Sequence, residues 1–496
     1  MKKSILLGAA ALAAIALAAP QAADAGEVKL GGYYVFRAVS TDNTVTNQVD
    51  DQNSNFWAQR LQLNVDMKAS EKSHAHMVTR VLDGKTVEGS DQVFGQGAAS
   101  MNASTGATAG AIGSGNSGNL GAADWQVRQL WLETEAWGVG VKVGNMPIAL
   151  NDGLLVDNDV TSFGTILLAK NFGGVTVVAA DVKVDEGATT STDANSATKW
   201  DNDKDIDLYV LSALGKLNEV NYQLTGAWLN AQGHFAVPPT AASAATPGLA
   251  LVNGTKATDG WVALTLSSKV EGIDLIGTAI YEKGVNFTGG ANNTQLEKSG
   301  LFVGARAKGV TGFGGWNGYA FYGDKNFTSP LLWNNEAKWS SAWDSSGPGS
   351  QDLMQRALTN RAGNSTNKIG ANGLAVAANA GSGIVTSGGD FSNESNMWGT
   401  GAGLSINVGA WTIKPSLDYA HVVEENDVNL GIQANVVSAW GGTLGFSTKI
   451  QEGTTLDLSG TWVNPKETDN FAKELSRTNM SMDNMHYLQA SVRMDF

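Results

Sequence analysis

Five basic residues and three aspartates are the side chains of this chain with the clearest capacity to act together. The basic residues are Arg37, Arg60, Arg80, Lys142 and Arg306, and the aspartates are Asp152, Asp157 and Asp159. Each basic residue occupies a polar position in a segment where polar and apolar residues alternate, whereas the aspartates share one short segment. Facing rows of opposite fixed charge create a transverse field that orders water and slows apolar solutes. The predicted chemistry is therefore the discrimination of polar from apolar solutes.

These assignments have alternatives that the sequence leaves open. A basic side chain on a strand is often paired with a local carboxylate and then has no selective role. The run Asn151-Asp-Gly153 is also an ordinary turn sequence. Arg128 shares the phase of the apolar residues Leu130 and Leu132, so it can join the basic set only if a β-bulge shifts the register.

Other chemistries find little support in the residues. The chain has no Cys, which excludes disulfides, thiolate metal sites and a cysteine nucleophile. The run Asp201-Asn-Asp-Lys-Asp205 resembles the start of a calcium loop, but Ile206 and Ser212 replace the required Gly and Glu. His74 and His76 supply only two metal ligands. We predict a non-enzymatic protein without a cofactor or metal.

The elements that must position these residues are β-strands, because hydrophobicity alternates with period 2. The last segment places one set of side chains on a single face: Leu488, Ala490, Val492, Met494 and Phe496. The first segment, 28–38, alternates in the same way. Such a pattern fits either a soluble sandwich with its apolar face inside or a membrane barrel with its apolar face in lipid.

Export favours the membrane barrel. Residues 1–25 carry Lys2 and Lys3, an apolar run and a small-x-small site ending at Ala25, which predicts a cleaved signal peptide. No later stretch has about 18 consecutive apolar residues, so no spanning helix is predicted. The strands are long, at about 10 residues, and aromatic residues lie near their ends. The mature chain, residues 26–496, is interpreted as one barrel domain.

The connections between strands alternate between short and long. The long polar segments are 40–53, 84–123, 147–161, 184–204, 232–258, 285–297, 325–397, 424–435 and 466–484. Short turns belong on the periplasmic side of such barrels and long loops outside. The alternation predicts an all-β, transmembrane antiparallel β-barrel of about 16–18 strands with both termini in the periplasm. Residues 351–358 show helical spacing within the longest loop.

Several segments resemble the general porins of Gram-negative outer membranes. They are the terminal Phe496 on an alternating strand, Leu30-Gly-Gly-Tyr-Tyr34, and the paired strands within 128–144. In that family an inward-folded third loop follows, and here its slot is 145–159. The resemblance implies a homotrimer, 16 strands and an acidic third loop opposite basic wall residues.

The leading functional prediction is passive diffusion of small hydrophilic solutes and ions through a water-filled channel in the outer membrane, among its lipids. A barrel of 16–18 strands is wide enough for such a channel. The charged residues named first would form its constriction. The alternative is a surface or structural barrel, such as an adhesin or envelope-complex sheath, without pore activity. A formal net charge of −14 argues against nucleic acid as a partner.

Overall fold

The computed structural model of the chain describes residues 26–42, 53–81, 92–93, 125–157, 163–185, 206–232, 236–237, 250–251, 256–288, 299–324, 327, 331–332, 397–423, 426–427, 432–433, 436–467 and 484–496. Its long strands are β1 (Glu27–Asp42), β2 (Asn53–Ser70), β3 (Ser73–Val81), β4 (Trp125–Ala136), β5 (Val139–Met146), β6 (Phe163–Phe172), β7 (Val175–Asp185), β8 (Ile206–Leu217), β9 (Val220–Gln232), β10 (Lys256–Val270), β11 (Ile273–Thr288), β12 (Ser299–Thr311), β13 (Gly314–Gly323), β14 (Met397–Val408), β15 (Trp411–Val422), β16 (Val436–Gln451), β17 (Thr454–Glu467) and β18 (Met485–Asp495). In this part of the chain, no helix is both long and apolar enough to cross a membrane.

The eighteen strands form one closed antiparallel sheet. Each strand pairs with its neighbours in sequence, and β18 returns to pair with β1. The short strand Gln92–Val93 adds only to the edge of β2. The last residue completes the ring, since the Gly32 amide donates to the Phe496 carbonyl at 3.0 Å and the Phe496 amide donates to the Gly32 carbonyl at 3.1 Å. The predicted barrel is confirmed, and the count of 16 implied by the resemblance is wrong for this chain.

Short and long connections alternate around the barrel as predicted. Two-residue turns join the strands at one end: 71–72, 137–138, 173–174, 218–219, 271–272, 312–313, 409–410 and 452–453. Every other connection is longer and leaves from the opposite end. Strands β6 and β16 lie between these connections, as the alternation predicts.

The two faces of the sheet differ in polarity. Large apolar side chains at outward positions are exposed on strands around the ring, including Leu30, Leu132, Ile166, Leu211, Val262 and Leu417. Inward positions near the short turns carry polar side chains such as Asp66, Glu133 and Lys142. The soluble-sandwich interpretation fails because the eighteen long strands of the described residues close into one ring and do not form two packed sheets.

We expect Gly32→Ala to weaken closure of the barrel. A Cβ at Gly32 would lie 2.2 Å from the Gln62 carbonyl oxygen and 3.1 Å from the Phe496 ring. Backbone must therefore shift at the seam, at a cost of about 1–3 kcal/mol in the free energy of unfolding. Gly226→Ala is the matched control, because a Cβ there meets nothing within 4 Å. The urea concentration at the midpoint of unfolding is measured for both variants by following the loss of the folded, heat-modifiable band. Equal midpoints for the two would contradict the expectation.

Candidate functional site

The segment 147–157, which connects β5 to β6, folds into the barrel and reaches the far wall. Asn151 is fully buried there. Its backbone amide donates to Gln223 Oε1 at 3.2 Å, and its side-chain amide donates to Thr265 Oγ1 at 3.2 Å. Gln223 lies on β9 and Thr265 on β10, both at inward positions. We call residues 147–157 the inner loop. Its predicted inward fold is present.

The next residue, Asp152, forms an ion pair with Arg306, and both belong to the predicted charged set. Arg306 Nη2 donates to Asp152 Oδ1, linking residues 154 positions apart in the sequence. Arg306 lies on β12, at an inward position opposite Tyr319 of β13. The Asp152 side chain is only 18% exposed, so much of this carboxylate is screened from water. The ion pair and the Asn151 hydrogen bonds fix the tip of the inner loop against β9, β10 and β12.

Apolar packing fixes the rest of the inner loop. Leu154, Leu155 and Val156 are at most 2% exposed and belong to one cluster with inward residues of β5 to β15. Burial of each such side chain contributes about 1.5–3 kcal/mol relative to exposure. The core of this protein is therefore inside the barrel, between the inner loop and one part of the wall.

The start of the longest connection joins the same cluster. Phe327 is 2% exposed, and its ring centroid lies 5.6 Å from that of Phe302 on β12. A little further on, Leu331–Leu332 pairs in parallel with Val156–Asp157, which pairs antiparallel with Ala149–Leu150. Two different connections thus share one small sheet inside the barrel.

Three of the predicted arginines, Arg37, Arg60 and Arg80, occupy inward positions on β1, β2 and β3. Arg60 lies two residues nearer the short turns than Ala58, the partner of Arg37. Arg80 pairs with Gln62, which is again two residues nearer the turns than Arg60.

This offset keeps the three arginines close to one level of the barrel. Directly paired residues can be followed from one strand to the next around the barrel. They start at Leu30, the fourth residue of β1, and reach Thr258, the third residue from the long-loop end of β10, so the line of pairs climbs toward the long loops. The climb arises because strands of a closed barrel tilt against its axis. The two-residue offsets oppose it, so the three arginines follow the circumference as an arc. We call Arg37, Arg60 and Arg80 the arginine arc.

Arg128 lies at a β-bulge, which is the condition under which it could join the basic set. On β3, Val78 pairs with Gln129 while the next residue, Thr79, pairs with Val127. Arg128 is therefore the extra residue of β4. Val127 remains at an outward position and is 52% exposed. The bulge releases Arg128 from the outward phase of Leu130.

Lys142 has the local carboxylate partner that the alternative interpretation supposed. Its Nζ lies 2.9 Å from Glu133 Oε2, on the neighbouring strand β4. His76 continues this network, with Nε2 3.9 Å from Glu133 Oε2 and Nδ1 2.6 Å from Asp66 Oδ1. Its ring stacks on Trp131 at 4.6 Å. Among the residues with described placement, no group of three His, Cys, Asp or Glu could hold a metal ion.

The arginine arc and the tip of the inner loop lie on opposite walls. Arg306 on β12 is nine strands from β3 in a ring of eighteen, which is half the circumference. Asp152 therefore contacts the wall that faces the arc across the barrel. Only the backbone of Asp157 is described, at the edge of the small inner sheet. Asp159, the acidic segment 201–205 and the helical spacing at 351–358 lie outside the described residues.

Sequence reasoning did not identify Asn151 or the apolar run Leu154-Leu155-Val156 as anchors. The run carried a usable signal, because three consecutive apolar residues are unusual in a loop that faces water. The hydrogen-bonding role of Asn151 carried none, since its partners come from strands distant in sequence.

Neither a protein-family model nor a curated protein sequence matches the chain. Solved porin structures resemble it in shape. OccK11 (OpdR) of Pseudomonas aeruginosa has a TM-score of 0.48 at 9% identity, covering 95% of this chain and 96% of its own. A BenF-like porin from Pseudomonas fluorescens Pf-5 has a TM-score of 0.48 at 11% identity, covering 95% and 98%. OccAB2 of Acinetobacter baumannii has 0.48 at 11%, covering 94% and 98%.

We expect Asn151→Ala to loosen the inner loop. The change removes the side-chain bonds to Thr265 Oγ1 and the Gln223 carbonyl. Losing these two bonds, and placing Ala at the positive φ of residue 151, costs about 1–3 kcal/mol of unfolding free energy. Asn221→Ala on the exposed inward edge of β9 is the control. The two variants are compared by denaturant unfolding in detergent micelles. Indistinguishable stabilities would contradict the anchoring role of Asn151.

Proposed function

We propose that this chain is an outer-membrane porin that lets small hydrophilic solutes and ions diffuse through its barrel. The observation that carries the proposal is the polarity of the closed sheet, with exposed apolar side chains around its outside and charged side chains within. Hydrocarbon suits the outer face, since a closed ring pairs the backbone groups of neighbouring strands with one another. A charged inner face suits water.

The strand number supports a channel. A barrel of about eight strands is filled by its own side chains, whereas 16–18 strands leave space for water. The inner loop takes up part of that space beside β5 to β15. We place the solute path on the other side of the barrel, along the arginine arc.

In this proposal the constriction lies between the inner loop and the arc. Asp152, with Asp157 and Asp159 further along the same connection, supplies the acidic side. Arg37, Arg60 and Arg80 supply the opposite basic side, with Lys142 nearer the short turns. Arg306 holds Asp152 in place by their ion pair. Solutes passing between the two sides would cross a transverse field, which favours polar and charged molecules.

The second candidate is a surface or structural barrel without pore activity. The observation that favours it is the amount of chain folded inside. Both the inner loop and Phe327 are buried within the barrel. An adhesin or an envelope-complex sheath would need such a plug to keep the membrane sealed.

Planar bilayer recording distinguishes the two functions. A porin gives large conductance steps, and the triple variant R37Q/R60Q/R80Q shifts its reversal potential in a salt gradient toward cation selectivity. A unit charge about 7 Å away in water contributes roughly 0.6 kcal/mol, so each neutralised arginine changes the local ion ratio by about two- to threefold. Lys170→Gln, on the outward face of β6, is the control and should leave the reversal potential unchanged.

Two results would count against the proposal. Absence of conductance steps from the folded wild-type barrel would favour the sheath. An unchanged reversal potential in the triple variant would remove the arginine arc from the solute path while leaving the channel itself in place.

We also propose export through cleavage after Ala25 and assembly as a homotrimer in the Gram-negative outer membrane. The intact mass of the mature protein should correspond to residues 26–496, and the protein should fractionate with outer-membrane lipids. Unheated samples should migrate as a trimer and heated samples as a monomer. Recovery from the periplasm without detergent would contradict the membrane assignment, whereas a monomer before heating would contradict only the trimer.

A further inference from the structure

A small pocket opens on the inner wall beside Arg306, on the short-turn side of the ion pair with Asp152. Its volume is about 80 Å³, room for a ligand of a few heavy atoms. The side chains and backbone that line it come from β11, β12 and β13. They include Asp274, Arg306, Lys308, Asn317 and Tyr319.

The charge around the pocket favours an anionic group. Arg306 and Lys308 lie on the same inward face of β12, two residues apart. Asp274 opposes them, but its Oδ1 lies 3.6 Å from Lys269 Nζ. Asp152 is the carboxylate partner of Arg306. The pocket lining therefore carries two positive side chains and one negative side chain, and Lys308 has no ion pair within the described residues.

Asn317 favours a ligand that also carries a hydrogen-bond donor. This residue pairs with Lys308 across β12 and β13, at an inward position. Its side-chain Oδ1 is buried and has no hydrogen-bond partner among the described residues. Buried polar atoms are normally satisfied, so an unpaired amide oxygen on a pocket wall marks a place for a donor. The nearby Tyr319 hydroxyl is already committed, because it donates to Asp418 Oδ1 at 2.8 Å.

We propose that this pocket binds a small carboxylate that carries a neighbouring hydrogen-bond donor, such as a 2-hydroxy acid. The carboxylate lies against Lys308 and the guanidinium of Arg306, and the adjacent hydroxyl donates to Asn317 Oδ1. The pocket then lies across the lumen from the arginine arc, on the short-turn side of the inner loop, and this inference rests on the proposed function for the route by which the ligand arrives.

The ligand and Asp152 compete for the same guanidinium. A carboxylate in the pocket offers Arg306 a second acceptor of the kind that Asp152 already provides. Binding should weaken the hold of Arg306 on the tip of the inner loop. Removing the competitor with Asp152→Asn should therefore strengthen ligand binding.

A matched pair of ligands tests the site. L-lactate and propionate have similar size and the same charge, but only lactate has the hydroxyl. Single-channel currents in constant KCl are recorded while either anion is added, and the half-blocking concentration is read from the saturable decrease. We expect lactate to block at about three- to tenfold lower concentration, because one hydrogen bond separates the two ligands.

Variants assign the two contacts separately. Asn317→Ala should remove the advantage of lactate while leaving propionate unchanged. Lys308→Gln should weaken both anions by a similar factor. Lys449→Gln is the matched control. Lys449 is also at an inward position, because its partner Thr455 pairs with the inward residue Arg493, but it lies away from the pocket on β16. It should leave both half-blocking concentrations unchanged.

Failure of the inference can be told apart from failure of the proposed function. Normal conductance with no saturable block, or equal block by lactate and propionate, overturns the site and leaves the channel. Where the folded protein gives no conductance at all, equilibrium dialysis of isotopically labelled lactate against the detergent-solubilised barrel decides. Saturable binding that Lys308→Gln weakens supports the site, and no binding overturns it.

Discussion

Closure of the hydrogen-bonded ring is the constraint on which the rest of this structure depends. A strand exposes unpaired amide and carbonyl groups at its edges, and these are costly wherever water is absent. The chain removes its last edge by pairing β18 with β1 and joining Gly32 to Phe496. Once closed, the sheet has only an outside and an inside. The period of 2 then assigns every strand side chain to one or the other.

The inside of the ring has an apolar packed part and a polar part. An eighteen-stranded barrel encloses more space than its wall side chains fill, so part of the chain can pack within it. Leu154, Leu155 and Val156 form a conventional apolar core there, with one section of the wall. Toward the short turns, the network of Asp66, His76, Glu133 and Lys142 is polar and partly exposed. The fold thus combines a packed half and a polar half within a single sheet.

The asymmetry of the barrel follows from where the inner loop is tethered. Asn151 and Asp152 attach it to β9, β10 and β12. The arginine arc lies on β1 to β3, half a circumference away. Ions and polar solutes crossing the proposed channel would therefore meet fixed charges on walls that face each other. The same tether leaves Arg306 shared between the loop and the neighbouring pocket.

Local patterns in the sequence determined the strands, the order of short and long connections, and which wall residues face inward, because these depend only on near neighbours along the chain. The sequence left open whether a bulge shifts Arg128, and the pairing of β3 with β4 decided it. Tertiary structure decided the strand number of eighteen, the partners Arg306 for Asp152 and Glu133 for Lys142, and the anchors of the inner loop. Contacts such as Asn151 with Thr265 join segments more than a hundred residues apart. Only the tilt and closure of the ring bring such residues together, and the sequence of a single strand determines neither.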